Sequence, residues 1–170
     1  MYAIRLLSAA ILVSVAFGMD LHRHMVSNVW ILFGWVWGLS VQYIMHGWGG
    51  VAQFLIGAVI PILWLFPLFY FRMLGPGDIK LLSVLGGLLE SRAVIQLIIL
   101  SFFLGGILSL GILIVSGTFL FRLRYFVDYF RECIKSKERR PYYKTGQQEE
   151  NIHFTLPILL GVFLYVGGIY

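Results

Sequence analysis

Two aspartates carry the chemical interest of this chain. Asp20 closes the first apolar run, and Asp78 stands in Gly75-Pro76-Gly77-Asp78-Ile79-Lys80, between two further apolar runs. A carboxylate beside hydrocarbon costs roughly 2.5–3.5 kcal/mol on insertion scales, so an acid placed there is a functional-site hypothesis by default. If the fold brings the two run ends together, the result is a pair of carboxylates. Such a pair can hydrolyse a peptide bond, because one member ionises to take a proton from water while the other stays protonated to polarise the carbonyl. Proximity alone sets up that division, since two adjacent carboxyls cannot both ionise cheaply. The pair titrates as a unit. Without side chains, Gly75 and Gly77 leave room for a substrate backbone beside Asp78, and a positive φ at Gly77 is a further expectation.

Each residue also has a plainer reading. Asp78 can serve as N-cap of a helix starting at Ile79, and Asp20 can cap or end its own segment. Lys80 can be an interface anchor. Those readings leave unexplained why both acids fall on one side of the membrane, as the following topology requires.

Of 170 residues, 59% are hydrophobic and 12% charged, with a mean hydropathy of +0.86. Soluble chains are about 45–50% apolar and about 25% charged, so the composition is that of a membrane protein. A single cysteine, Cys133, excludes an internal disulfide and a cysteine-rich zinc site. The net charge of +5 does not point to nucleic acid, because the basic residues are confined to short connectors and one loop.

Apolar runs cover 3–19, 29–45, 51–71, 79–89, 93–121 and 152–170. A span needs roughly 17–25 residues, so the fourth run is too short to cross alone and is expected to begin below the surface, led in by the glycines. Irregular backbone at that depth must be buried in protein or line a wet cavity. Pro61 and Pro67 predict a kink or an early end in the third run. Arg5, an apolar stretch and Ala16-Phe17-Gly18 imitate a cleaved leader, but the polytopic remainder and Asp20 favour retention of the first run. The expected fold is all-α, with six transmembrane helices, the fourth short, in one membrane-embedded domain over 1–170.

Six crossings place the connectors 20–28, 72–78 and 122–151 on one side. With Lys80, that side holds 11 of the 13 Lys and Arg residues, leaving Arg5 and Arg92 on the other. The positive-inside rule makes the first side cytoplasmic, with both termini outside and both acids at the cytoplasmic face. In the basic loop 122–151, Phe119, Leu123, Phe126, Val127, Phe130 and Ile134 share one face, as in an interfacial amphipathic helix. The rest of the loop reads as linker. Ordinary topological anchoring explains its charge, and contact with anionic lipid or substrate is the alternative.

Other chemistries lack their residues. The histidines, His22, His24, His46 and His153, form no His-Glu-x-x-His, and there is no Gly-x-Ser-x-Gly elbow. His22 and His24 flank Arg23 in what reads as a basic turn, so neither a metal nor a cofactor is expected. Gly34-Trp35-Val36-Trp37-Gly38 is a GxxxG pattern for close helix packing. Glu90 and Arg92 read as a plain connector.

Leu74-Gly75-Pro76-Gly77-Asp78-Ile79-Lys80-Leu81-Leu82 resembles the GxGDxK signature of the type IV prepilin peptidases, a family of intramembrane aspartic proteases. Their other catalytic aspartate opens a segment with a basic turn that ends in Ile-Pro-Asn. Asp20-Leu21-His22-Arg23-His24-Met25-Val26-Ser27-Asn28 has the same spacing, with Val26-Ser27 in place of Ile-Pro. His153-Phe154-Thr155-Leu156-Pro157-Ile158-Leu159-Leu160-Gly161 is similar to the family's last-helix segment. Presenilin-like and signal-peptide-peptidase-like proteins share a GxGD but are larger and lack the Asp-to-Asn turn.

The resemblance implies an aspartic endopeptidase that cuts prepilin-like precursors, with a short basic leader before an apolar helix, at the cytoplasmic face. Catalysis would rest on Asp20 and Asp78, with Gly75, Gly77, Lys80, Asn28 and Pro157 binding substrate or shaping the site. Methylation of the new N-terminus is not implied, because the cysteine-paired segment of the larger members is absent. The size is similar to the short forms of tight-adherence pili and archaeal preflagellin processing. The reading from a different class is a non-catalytic membrane assembly factor that uses the polar pair for helix packing or ion passage.

Overall fold

Backbone amides surrounded by hydrocarbon must bond within their own segment, which makes helices of the apolar runs. The computed structural model describes residues 2–23, 25–71, 73–89, 91–115, 117, 124 and 154–168. Its helices are α1 (Tyr2–Arg23), α2 (Asn28–Tyr70), α3 (Pro76–Leu88), α4 (Ser91–Val115) and α5 (Thr155–Val166). No strand occurs among the described residues. Three helices are long and apolar enough to cross a membrane, within Ala3–Arg23, Asn28–Tyr70 and Ser91–Ile112.

The second of these is not one rod. At 43 residues a straight helix would run about 65 Å at about 1.5 Å per residue, roughly twice a bilayer core. Gly47 breaks it with φ 58° and ψ −142°, a conformation that glycine reaches without a steric penalty. The two arms, 28–46 and 48–70, then run back along each other. Trp35 and Phe54 meet edge to face at 5.3 Å between ring centroids, where a continuous helix would hold them about 28 Å apart. Gly50 lies against the backbone of Gln42, and Gly38 lies under the Phe54 ring. The second and third apolar runs are therefore the arms of a helical hairpin that turns at Gly47, and the second arm continues as helix past Pro61 and Pro67 to Tyr70, without the early end that the prolines allowed.

Packed into this hairpin is α3, a 13-residue helix whose residues from Ile79 to Leu88 are all buried except the exposed Lys80. Contact is backbone to backbone where Gly57 meets Gly86, and Phe54 covers Gly87 at 2.5 Å from the position of a Cβ. Two buried side chains tie the helix to both arms. Gln42 Nε2 donates to the Gly87 carbonyl at 3.1 Å, and Ser83 Oγ donates to the Ala58 carbonyl at 2.9 Å. Gly34 of the GxxxG pattern lies 2.8 Å, from the position of a Cβ, to Val84, so that pattern serves close packing against α3 and the opposite arm.

Helix α1 presents Arg5, Ser8, Ala9, Leu12, Val13, Ala16 and Asp20 on one buried face, at the spacing of a single helical stripe. It packs against α5, which is wedged between α1 and α4. Trp30 Nε1 donates to the Leu12 carbonyl and Trp37 Nε1 to Ser8 Oγ, joining α1 to the first hairpin arm. The outward faces remain apolar, with Leu32, Phe33, Leu63, Trp64, Phe66 and Ile99 all exposed, the inside-out pattern of a chain solvated by lipid.

Helix limits differ from the sequence expectation where they matter. The first run continues through Arg23, so Asp20 lies inside α1 instead of beyond it. The fourth helix begins at Pro76, with Gly75 as its N-cap. Asp78 is therefore in its first turn and is not the cap. Proline suits that first position, because its missing N–H would have no intrahelical partner. The sixth run yields a 12-residue helix that ends at Val166, where Gly167 and Gly168 turn the chain and Gly168 has φ 72°. Of the loop 122–151 only Arg124 is described. Its amphipathic stretch, its linker and Cys133 lie outside the described residues, as do His24, Arg72 and Glu90.

The Gly57–Gly86 contact makes a direct prediction. Gly57→Ala should lower the melting temperature in detergent by several degrees, because its Cβ would strike the Gly86 carbonyl. Gly49→Ala, whose Cβ meets nothing within 4 Å, should leave it unchanged or raise it slightly. Equal melting of the two variants would contradict this packing.

Candidate functional site

The connector after α1 is short, and its end is defined by a cap. Ser27 has extended backbone (φ −62°, ψ 133°) and its Oγ accepts from the Val29 amide at 3.3 Å. The serine found where the resembling family has proline is thus the N-cap of α2, a role that serine performs well. Asn28 follows as the first helical residue.

The start of α3 meets this connector. Lys80 Nζ donates to Asn28 Oδ1 at 2.9 Å across 52 positions of sequence. A Cβ at Gly77 would stand 3.8 Å from Val26 Cβ. Two segments singled out separately in the sequence, 20–28 and 75–80, are therefore in contact through two independent pairs. Asp20 lies in the last turn of α1, buried to 9% exposure. Asp78 lies in the first turn of α3 and is half-buried. The position that a Cβ on Gly75 would take is 3.2 Å from Asp78 Oδ2, so the carboxylate lies close over its own N-cap and glycine there avoids a tight contact.

Gly77 has no positive φ; the described glycines that do are Gly47, Gly117 and Gly168. The expectation of a left-handed turn at Gly77 is corrected on that point: residue 77 is already helical, where φ is negative. Pro157 is buried in α5 and lies 3.4 Å from the Cβ position of Gly105 on α4. Its observed contact is between helices, away from the Asn28–Lys80 contact.

One residue that the sequence did not single out is bound to the acid itself. Thr155 Oγ1, at the start of α5, donates to Asp20 Oδ2 at 2.6 Å. Thr155 is fully buried. The bond spans 135 positions; in the sequence Thr155 stands within the 153–161 segment, with no role assigned to it.

A polar pair, buried Arg5 with exposed His46, lies at the other end of α1. The Arg5 guanidinium, only 7% exposed, donates to His46 Nε2 beside the Gly47 turn. Arg5, in the first apolar run as expected, is buried near the start of α1. Among the described residues, no group of three His, Cys, Asp or Glu side chains is arranged to hold a metal ion.

The arrangement offers two carboxylates on abutting segments, an amine–amide pair beside them and a hydroxyl donor on one acid. That equipment suits the activation of water against a carbonyl without a bound cofactor. The family model described as the type IV leader peptidase family matches residues 7–110, a span that includes both aspartates. No curated protein and no solved structure matches the chain.

The Val26–Gly77 geometry can be tested by cross-linking. The expected Cβ separation is within the range of about 3.5–4.5 Å that a disulfide needs. In a Cys133→Ser background, Val26→Cys with Gly77→Cys should oxidise to an intramolecular disulfide, read by mass spectrometry of the linked peptides. Persistence of both free thiols under oxidant would separate the two segments.

Proposed function

The chain belongs to the type IV leader peptidase family, and on that premise we propose that it is an intramembrane aspartic endopeptidase removing the leader of prepilin-like precursors. The observation that carries the reading is the meeting of the two candidate segments, through Lys80 with Asn28 and Gly77 with Val26. Asp20 and Asp78 are its catalytic acids. One carboxylate takes a proton from water, and the water oxygen adds to the scissile carbonyl, which the protonated partner polarises. Collapse of the tetrahedral intermediate breaks the C–N bond as a proton passes to the leaving amine. Each acid ends ready to exchange protons with solvent.

Gly75 and Gly77 clear the approach to Asp78, and the Lys80–Asn28 bond holds the rim. The substrate is an apolar helix preceded by a short basic leader, drawn from the lipid phase. The chain 1–170 acts as one unit with six crossings, with the hairpin arms as the second and third. It lies in the cytoplasmic membrane with both termini outside, the loop 122–151 inside and the site at the cytoplasmic face, supported by the Lys and Arg distribution. Neither a cofactor nor nucleic acid enters this reading, and N-methylation is not part of it.

Asp20→Asn and Asp78→Asn should each depress cleavage of a precursor by roughly 10²–10⁴-fold or more, the range of acid–base contributions, while both proteins remain folded. Asparagine keeps an oxygen that can accept from Thr155, so the fold has no reason to fail. Cleavage near the wild-type rate by either variant would refute the aspartic mechanism. Loss of folding in both would favour the polar pair as packing in a non-catalytic assembly factor.

Orientation has its own test. Single cysteines in 122–151, in a Cys133→Ser background, should resist an impermeant thiol reagent applied outside intact cells, while a tag at Tyr170 is reached. Labelling of the loop from outside would reverse the topology.

A further inference from the structure

We propose that Thr155 is the positioning residue for Asp20, holding its carboxylate in the orientation that the reaction needs. The inference rests on the reading of Asp20 as one of the two catalytic acids. The oxygen–oxygen distance of 2.6 Å lies in the range of about 2.5–2.7 Å typical of a hydroxyl bonded to a carboxylate. Thr155 has no exposed surface and Asp20 has 9%, so bulk water does not compete for the bond.

Helix α1 sets this acid near its C-terminal end. Asp20 lies in its last turn, where the helix dipole opposes negative charge. The compensating donor comes from α5. Thr155 is the first residue of that helix, whose N-cap, Phe154, supplies no side-chain bond. A threonine at such a position ordinarily bonds its own helix end; here its hydroxyl reaches α1 instead. The positive end of α5 also lies at Asp20.

The hydroxyl is held rigidly. Threonine is stiff at χ1, and α5 is locked onto α4 on both sides of the contact. Gly161 approaches Leu97 and Ser101, with Cβ distances of 2.8 and 3.2 Å, while the Phe154 and Phe102 rings pack at 4.9 Å between centroids. With Oδ2 engaged by a fixed donor, the plane of the Asp20 carboxylate is set before substrate arrives. This preorganisation is a part of catalysis that binding energy need not supply. It also gives the short α5 a function beyond filling the bundle.

The test compares variants that separate hydroxyl from shape. Thr155→Val keeps the volume and removes the donor, Thr155→Ala removes both, and Thr155→Ser keeps the donor and drops a methyl. The full chain in detergent is assayed on a tagged precursor with a basic leader, a glycine and an apolar helix. Hydroxyl-free variants should lose about tenfold or more in kcat, the size of a bond to a charged group. Their KM should stay within about twofold, as for an interaction used in the transition state. Thr155→Ser should recover kcat to within about threefold of wild type, because it restores the same donor. Full kcat in a hydroxyl-free variant, or a serine variant as impaired as valine, would overturn the proposal. Asp20→Asn and Asp78→Asn run beside them. If either of these cleaves, the functional reading falls and takes the inference with it. If both are dead while Thr155→Val is fully active, only the positioning role fails.

Discussion

A helix too short to cross a bilayer can exist inside one only if protein surrounds it, and α3 imposes that condition on the rest of the chain. Its 13 residues reach about 20 Å at about 1.5 Å per residue, so with this helix placed in a bilayer at least one of its ends would lie below the membrane surface. Backbone groups at that end have no water to bond and must be enclosed. The hairpin of α2 provides the enclosure, and it can close tightly because Gly57 faces Gly86 and Phe54 covers Gly87. Gln42 and Ser83 then make polar bonds across the contact that hydrophobic attraction cannot supply in lipid. Asp78 in the first turn of this enclosed helix is thereby held by the whole bundle.

The same logic extends to Asp20. An acid on the buried face of α1 needs donors, and the last helix brings one. Among the described residues, contacts between segments far apart in sequence at the candidate site include Asn28 with Lys80, Val26 with Gly77, and Thr155 with Asp20. The membrane supplies little force between helices, so close glycine contacts and a few buried hydrogen bonds carry much of the specificity of this arrangement.

Much of this was legible in the sequence. Apolar runs separated the helices, and the spacing of Asp20 to Asn28 and of Gly75 to Lys80 picked out two segments that do touch. The less legible parts depend on three-dimensional contact. Composition does not distinguish a connector at 46–50 from a hairpin whose turn requires one positive φ at Gly47. Gly86 and Gly87 sit in an apolar run like any other glycines until Gly57 and Phe54 are placed against them. Thr155 gives no periodic signal, because its partner is a single oxygen on another helix. Helix ends moved by a few residues because proline at 76 starts α3 early and α1 continues past Asp20, which places both acids within helices and sets aside the plainer reading of them as caps.

The central claim is that Asp20 and Asp78 form one pair. Its most direct measurement replaces both by cysteine in a Cys133→Ser background and titrates the membrane protein with mercury(II), which bridges two thiolates only when they lie a few ångströms apart. The account predicts stoichiometric binding of one ion per chain, with both thiols lost together to a maleimide reagent. Independent modification of the two cysteines, with no shared ion, would show that the acids do not share a site and would contradict it.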